Sequence, residues 1–167
     1  RYQDIKSKEI NSLVDDDGTI VKVIAGNYRG YNGPVDGIAA EPEYLDIYVP
    51  SLKFKKFPFD TRRQGFAYIF QGEGNFHNAS NPVGVKVEKE FQGQEIELRD
   101  LSGNRTLVVF DSGDEVTVQA GENGVRFLLI SGTPIKEPVA WHGPIVMNSQ
   151  EELRQAFNDL NNGTFIK

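Results

Sequence analysis

Short apolar runs rich in β-branched residues, separated by polar turns, dominate the chain. Such runs lie at residues 19–25, 44–49, 66–70, 83–87, 95–98, 107–110, 116–118 and 125–130. Residues 66–70 are apolar on both faces, which is typical of a fully buried strand, whereas 83–87 alternate like a half-buried strand. Many short strands with turn signals between them predict an all-β sandwich or barrel rather than alternating βαβ units.

Turn residues divide these runs. The pair Asn123-Gly124 separates two of them, and it tolerates the positive φ angles of a tight hairpin, so we predict a hairpin there. Residues 28–43 are rich in glycine and proline and predict a long loop. Residues 53–63 mix five basic residues with three phenylalanines, and their rough alternation predicts that the phenylalanines face the core while the lysines face water.

One segment has helical spacing. Within residues 149–160, one apolar stripe consists of Leu153, Ala156, Phe157 and Leu160. Ser149 and Glu152 form a capping-box pattern at its start, in which each side chain satisfies an exposed backbone amide of the other residue. We therefore predict a C-terminal helix, whose stripe must bury against this domain's own sheet or against another domain.

Composition narrows the function classes. The net charge of −6 argues against binding to nucleic acid or to an anionic membrane. No apolar stretch approaches the roughly 20 residues of a membrane helix. With no cysteine, the chain has neither disulfides nor thiolate metal sites, which fits a cytoplasmic location, or a nuclear one in a eukaryote. The chain starts at Arg1 and its single methionine is Met147, so we expect a piece of a longer protein.

Five stretches carry a resemblance to a known family. They are residues 21–26, 33–34, 68–74, 126–139 and 143–152. The most specific is the tail, where G-x-P-x-x-E-P is followed by G-P-x-V-M-N and an acidic-capped helix. In this order the stretches resemble the C-terminal half of a pirin, a protein of two cupin domains. The resemblance implies a cupin-type (RmlC-like) jelly roll, a double-stranded β-sandwich with a C-terminal helix, filling residues 1–167 as one domain.

The resemblance also implies where the chemistry lies. Metal-dependent cupins bind iron or a similar divalent ion through a His-x-His pair, an acid and a later histidine, since imidazole suits first-row metals. Residues 49–71, where the pair would fall, contain no histidine, and none occurs between His77 and His142. We therefore expect no metal ligand, no cofactor and no catalytic residue in this chain. The metal would belong to an absent N-terminal cupin.

Several single features favour plain structural roles. His77 lies in a polar stretch typical of a solvated loop. His142 follows Trp141 and is expected to pack beside it rather than to act in catalysis. Residues 15–18 resemble the start of a calcium loop, but the later glutamate is missing, which favours a solvated turn.

Two main function hypotheses remain open, and a third, weaker one is a direct protein-binding module that uses the loop 28–43 and the helix 149–160. In the first, the chain is a non-catalytic half that contacts the N-terminal cupin; the longer protein would be a quercetin 2,3-dioxygenase or the partner of a regulatory protein. The predicted interdomain contacts are Trp141, Ile145, Met147, Leu153 and Phe157. In the second, the chain binds a sugar or another small molecule between its sheets. The predicted pocket lining is Asp60, Tyr68, Arg126 and Trp141.

Overall fold

The chain forms two compact units, Arg1–Pro134 and Ile135–Lys167. The computed structural model describes residues 4–77, the backbone of 83–84, and residues 101–166. The predicted strand at 95–98 and the end of the alternating run at 83–87 therefore lie outside the described residues. No helix in the described part of the chain has the length and apolarity needed to cross a membrane.

The described regular structure of the first unit consists of antiparallel strands and one short 3-10 helix, Ser7–Glu9. The strands are β1 (Asn11–Val14), β2 (Ile20–Ala25), β3 (Asn27–Tyr28), β4 (Tyr31–Asn32), β5 (Glu43–Val49), β6 (Phe54–Pro58), β7 (Gln64–His77), β8 (Val83–Gly84), β9 (Ser102–Gly103), β10 (Thr106–Val109) and β11 (Glu115–Gly132). The main sheet has the order β1-β2-β5-β11-β7-β10-β8, with β6 also paired to β11 and β9 to β7, while β3 and β4 form a separate pair.

Two long strands, β7 and β11, each contribute one part to each layer of the sandwich. The first part of β11 pairs with β6 and with the end of β7, and its second part pairs with β5 and with the start of β7. The register shifts between Ala120 and Val125. The predicted hairpin at Asn123-Gly124 is therefore wrong: the positive φ of Gly124, +75°, serves an irregularity inside one continuous strand.

The core lies between the two layers. Alternate residues of β2 and β5 are fully buried there, including Val21, Val23 and Ile47. On β7, Ala67 and Ile69 are buried, whereas Phe66 and Phe70 are only half-buried. The prediction that this strand is buried on both faces is therefore wrong. The period of two nevertheless identifies the core face of the sheet correctly.

Strand β6 departs from the predicted alternation. Phe57 is buried, but Phe54 is 48% exposed, and the side chain of Lys55 is only 12% exposed. Lys55 is held inside by two carboxylates: its Nζ lies 2.6 Å from Asp15 and 2.8 Å from Asp17. The acidic turn at 15–18 is thus a buried ion-pair site rather than the solvated turn that we expected.

The second unit is a hairpin with a helix. Strands β12 (Ala140–His142) and β13 (Ile145–Met147) pair, and α1 (Gln150–Asn161) follows. The predicted capping box is present, since Ser149 accepts from the Glu152 amide and Glu152 accepts from the Ser149 amide. Leu153 and Ala156 are buried with Ala140 and Ile145, and Phe157 packs against them, so this part of the apolar stripe packs on the hairpin, whereas Leu160 is exposed.

Candidate functional site

Aromatic rings cluster in the buried core of the first unit, where the second hypothesis predicts a ligand pocket between the sheets. Phe57 comes from β6 and Phe127 from the second part of β11, and their ring centroids are 6.1 Å apart. Phe76, near the end of β7, lies 5.1 Å from Phe127 in an edge-to-face arrangement. Phe59 and Phe110 pack at the side of the same cluster. Such rings contribute burial and offer no donor to a metal or a sugar.

The described residues of this interior are mainly aliphatic and aromatic. The segment that would carry the histidine pair contributes the buried ring of Phe57 instead. In the part of the chain that the structure describes, no group of three or more histidine, aspartate or glutamate side chains is arranged to hold a metal. No chemistry through a metal is therefore derived from this chain.

The two histidines lie in different units. His77 is exposed at the end of β7, with its ring centroid 6.0 Å from that of Phe54. His142 packs edge-on against Phe157, at 5.4 Å, within the second unit. The aromatic residue that contacts His142 is thus Phe157 on the helix, whereas the sequence predicted packing beside Trp141.

Of the four residues predicted to line one pocket, Asp60, Tyr68 and Arg126 belong to the first unit and Trp141 to the second. Asp60 accepts hydrogen bonds from the side chain and amide of Arg62, and the side-chain bonds above all hold its pKa well below the ordinary value. Tyr68 and Arg126 lie on the face of the main sheet that points away from the core. Trp141 belongs to the second unit and is 72% exposed.

The predicted interdomain residues have unequal exposure. Ile145 and Leu153 are buried inside the second unit, and Met147 and Phe157 pack against that cluster. Only Trp141 projects strongly into solvent.

A polar network that sequence reasoning missed joins the acidic turn to β6. Asp15 accepts hydrogen bonds from Tyr28 and Arg29 and pairs with Lys55, while Asp17 pairs with Lys55 and accepts from the Thr19 amide. Burial opposes the charged form of Asp17, but the bonds from Lys55 and Thr19 outweigh it and hold the pKa of Asp17 at about 2. Burial likewise lowers the pKa of Lys55, and the two carboxylates more than reverse this, so it is raised. The network thus supplies the buried Asp15 carboxylate with three partners.

A second missed feature is a pocket of about 270 Å³ on the outer face of the main sheet. Its lining comes from β2, β5, β7 and β11 and consists of Ile20, Lys22, Asp46, Tyr48, Gln71 and Arg126. Arg126 donates from Nε and Nη2 to the two oxygens of Asp46, at 2.8 and 2.6 Å. The signal for this placement was in the sequence, because Arg126 alternates with apolar Val125 and Phe127 and must therefore point away from the core.

Most of the chain is similar in sequence to known proteins. Residues 44–166 match the family described as the pirin C-terminal cupin domain. The chain is 33% identical over 165 residues to a pirin-like protein of Caulobacter vibrioides, covering 98% of this chain and 52% of that protein. It is 32% identical over 165 residues to pirin of Homo sapiens, covering 97% and 50%. The chain thus spans about half the length of these curated relatives.

The crystal structure of a quercetin 2,3-dioxygenase from Acinetobacter baumannii has the same fold. The two superpose with a TM-score of 0.75 at 23% identity, covering 99% of this chain and 50% of that one. At this identity the likeness shows the fold alone, and it confirms the predicted cupin-type β-sandwich. Because the family match spans most of the chain, and the tail that carried the resemblance lies within it, this chain belongs to the pirin family.

Proposed function

We propose that this chain is the metal-free, non-catalytic cupin half of a longer pirin-like protein. The observation that carries the proposal is the cluster of Phe57, Phe76 and Phe127 in the buried core of the first unit. Placing an ion among such rings would strip it of water without supplying donors, which is strongly unfavourable. The absence of histidine from residues 49–71 supports the same conclusion.

Metal analysis tests this proposal. The chain is produced without a histidine tag, incubated anaerobically with Fe²⁺, dialysed and analysed by mass spectrometry for iron, nickel, copper and zinc. We expect far less than one metal ion per chain. The longer protein, treated in parallel, serves as the positive control and is expected to retain metal. Stoichiometric metal bound to this chain alone would overturn the proposal.

In the longer protein, we place the metal, iron or a similar divalent ion, in an N-terminal cupin domain. One fold relative is named a quercetin 2,3-dioxygenase, and oxidation of a flavonol is the activity that we propose for the longer protein. Quercetin is incubated with each protein while its absorbance and the oxygen concentration are followed. The longer protein should consume both, and a chelator should stop it. Equal turnover by this chain alone would contradict the assignment.

We further propose that the hairpin of the second unit contacts the N-terminal domain. Trp141 and Val146 are cross-strand neighbours, and they are 72% and 56% exposed. Their neighbours Ala140 and Ile145 are buried under α1. An exposed apolar pair beside an already covered face is typical of an interaction surface. The portion of the relatives that this chain does not span is the partner that we assign to it.

Trp141 is the single tryptophan of the chain, which makes it a specific reporter of this contact. We would label it with 5-fluorotryptophan and compare its ¹⁹F signal in this chain and in the longer protein, assigning the signal with Trp141→Phe. In the longer protein the signal should shift and lose its solvent-induced isotope effect. An unchanged signal would exclude the contact.

A further inference from the structure

The outer-face pocket is built by four neighbouring strands. Ile20 and Lys22 come from β2, Asp46 and Tyr48 from β5, Arg126 from β11 and Gln71 from β7. Four lining pairs are register partners across these strands: Ile20 with Tyr48, Lys22 with Asp46, Arg126 with Tyr48, and Arg126 with Gln71. Strand pairing positions the six side chains, although the register shifts between Arg126 and Phe127, and they therefore form a preorganised surface rather than a chance arrangement of loops.

Arg126 is held in place from two sides. Asp46 binds its Nε and Nη2 in a bidentate pair, and its guanidinium carbon lies 5.1 Å from the ring centroid of Phe70. Both contacts restrict the guanidinium plane. Its Nη1 group has no hydrogen-bond partner among the described residues, so it is free to donate to a ligand.

The charges do not balance within the pocket. Asp46 neutralises Arg126, and Lys22 adds a further positive charge that forms no ion pair within the described ranges. The pocket therefore carries one surplus positive charge, although the chain as a whole has a net charge of −6. A local surplus of this sign selects a ligand with one negative charge.

The remaining lining is polar but neutral, apart from Ile20. Tyr48 offers a hydroxyl and Gln71 an amide, and both groups suit hydroxyls on a ligand. The tyrosine hydroxyl also lies against Gly124, where an added Cβ would be 3.1 Å away, so this side of the pocket is closely packed. A pocket of about 270 Å³ is smaller than the roughly 300–1,000 Å³ of sites for drug-sized ligands.

We propose that this pocket binds a small hydroxylated carboxylate. The carboxylate group lies between Lys22 and the free Nη1 of Arg126, and the hydroxyls of the ligand bind Tyr48 and Gln71. This site lies on the opposite face of the sheet from the aromatic interior, and it is independent of any metal or activity in the longer protein.

The test uses a matched pair of ligands. Gluconate and sorbitol are six-carbon chains that differ chiefly in one carboxylate, and inorganic phosphate provides an anion without the hydroxylated chain. Each is titrated at constant ionic strength into the ¹⁵N-labelled chain while amide shifts are recorded. Gluconate should bind with a millimolar dissociation constant and shift the amides of Lys22, Asp46 and Arg126, whereas sorbitol and phosphate should bind at least about tenfold more weakly.

Two variants complete the experiment. Lys22→Gln removes the surplus charge without touching the core and should weaken gluconate binding about tenfold. The control is Lys56→Gln on β6, whose exposed side chain pairs with Glu115 and which should leave binding unchanged. Equal affinity for gluconate and either sorbitol or phosphate would overturn the proposal, as would shifts that map away from the pocket or an unaltered affinity in Lys22→Gln.

Discussion

Replacing Lys55 by glutamine should remove the central cation of the buried polar network. The Lys55 side chain is 12% exposed and that of Asp15 only 5%, and glutamine cannot neutralise Asp15 and Asp17. Removing one partner of a buried ion pair costs about 3–5 kcal/mol. Because Arg29 still binds Asp15 in the variant, we expect a loss near the lower limit, about 3 kcal/mol in the free energy of unfolding.

This loss should depend on pH in a defined direction. The pKa of Asp17 is about 2 in the folded chain against an ordinary value of 3.8, so its contribution to stability is complete above about pH 4. It is lost as the pH falls toward 2. The difference in pKa corresponds to about 2 kcal/mol, which solvent screening of a side chain 29% exposed reduces to about 1 kcal/mol. The gap between wild type and Lys55→Gln should therefore narrow by about this amount between pH 4 and pH 2.

Urea unfolding followed by far-ultraviolet circular dichroism at several pH values measures both effects. Lys56→Gln, one position along the strand, is the matched control, because its surface pair with Glu115 is worth at most about 1 kcal/mol. If Lys55→Gln unfolds at the same urea concentration as Lys56→Gln, the network does not stabilise the fold. A gap that is the same at pH 7 and pH 2 would refute the role given to Asp17.

The other predictions concern packing and backbone geometry. Phe127→Ala empties the centre of the aromatic interior and should cost about 3–5 kcal/mol in urea unfolding, because Phe127 is fully buried; a loss below 1 kcal/mol would contradict the packing. Gly124→Ala places a Cβ 2.9 Å from a backbone oxygen at a φ of +75° and should cost about 1–3 kcal/mol by the same assay, whereas Gly103→Ala, with open space around it, should cost less. Phe157→Ala should lower the free energy of unfolding by only about 1–2 kcal/mol, because the Phe157 side chain is partly buried. The fluorescence of Trp141, in the same unit, measures this change. If the second unit is unfolded in the variant, the helix depends on Phe157 more than the burial of this side chain indicates.

Much of the fold follows from local patterns. The alternation of valines and isoleucines on β2 and β5 predicts which face is buried, because side chains in a strand point to opposite faces in turn. The pair Ser149 and Glu152 fixes the helix start within one residue, since both sides of a capping box lie within four residues of sequence. The family tail supplies the cupin topology, which no local pattern contains.

The failures have physical reasons. Asn123-Gly124 permits positive φ angles, but both a hairpin turn and an irregularity within a strand use such angles. Only the pairing partners of the strand distinguish these two structures. Lys55 points inward because two carboxylates about 40 residues away in the sequence neutralise it. Such distant partners cannot be recognised from the local alternation of apolar and polar residues. The outer-face pocket joins strands from distant parts of the chain, with Asp46 and Arg126 separated by 80 residues.

The position of β11 in the chain has a consequence for biosynthesis. The strands β5, β6 and β7, within residues 43–77, all pair with it, yet it begins only at Glu115. While the ribosome synthesises the intervening residues, these strands wait with unpaired hydrogen-bonding edges, which are ready templates for association with other chains. Until β11 has emerged, the nascent chain therefore lacks the strand that pairs with all three.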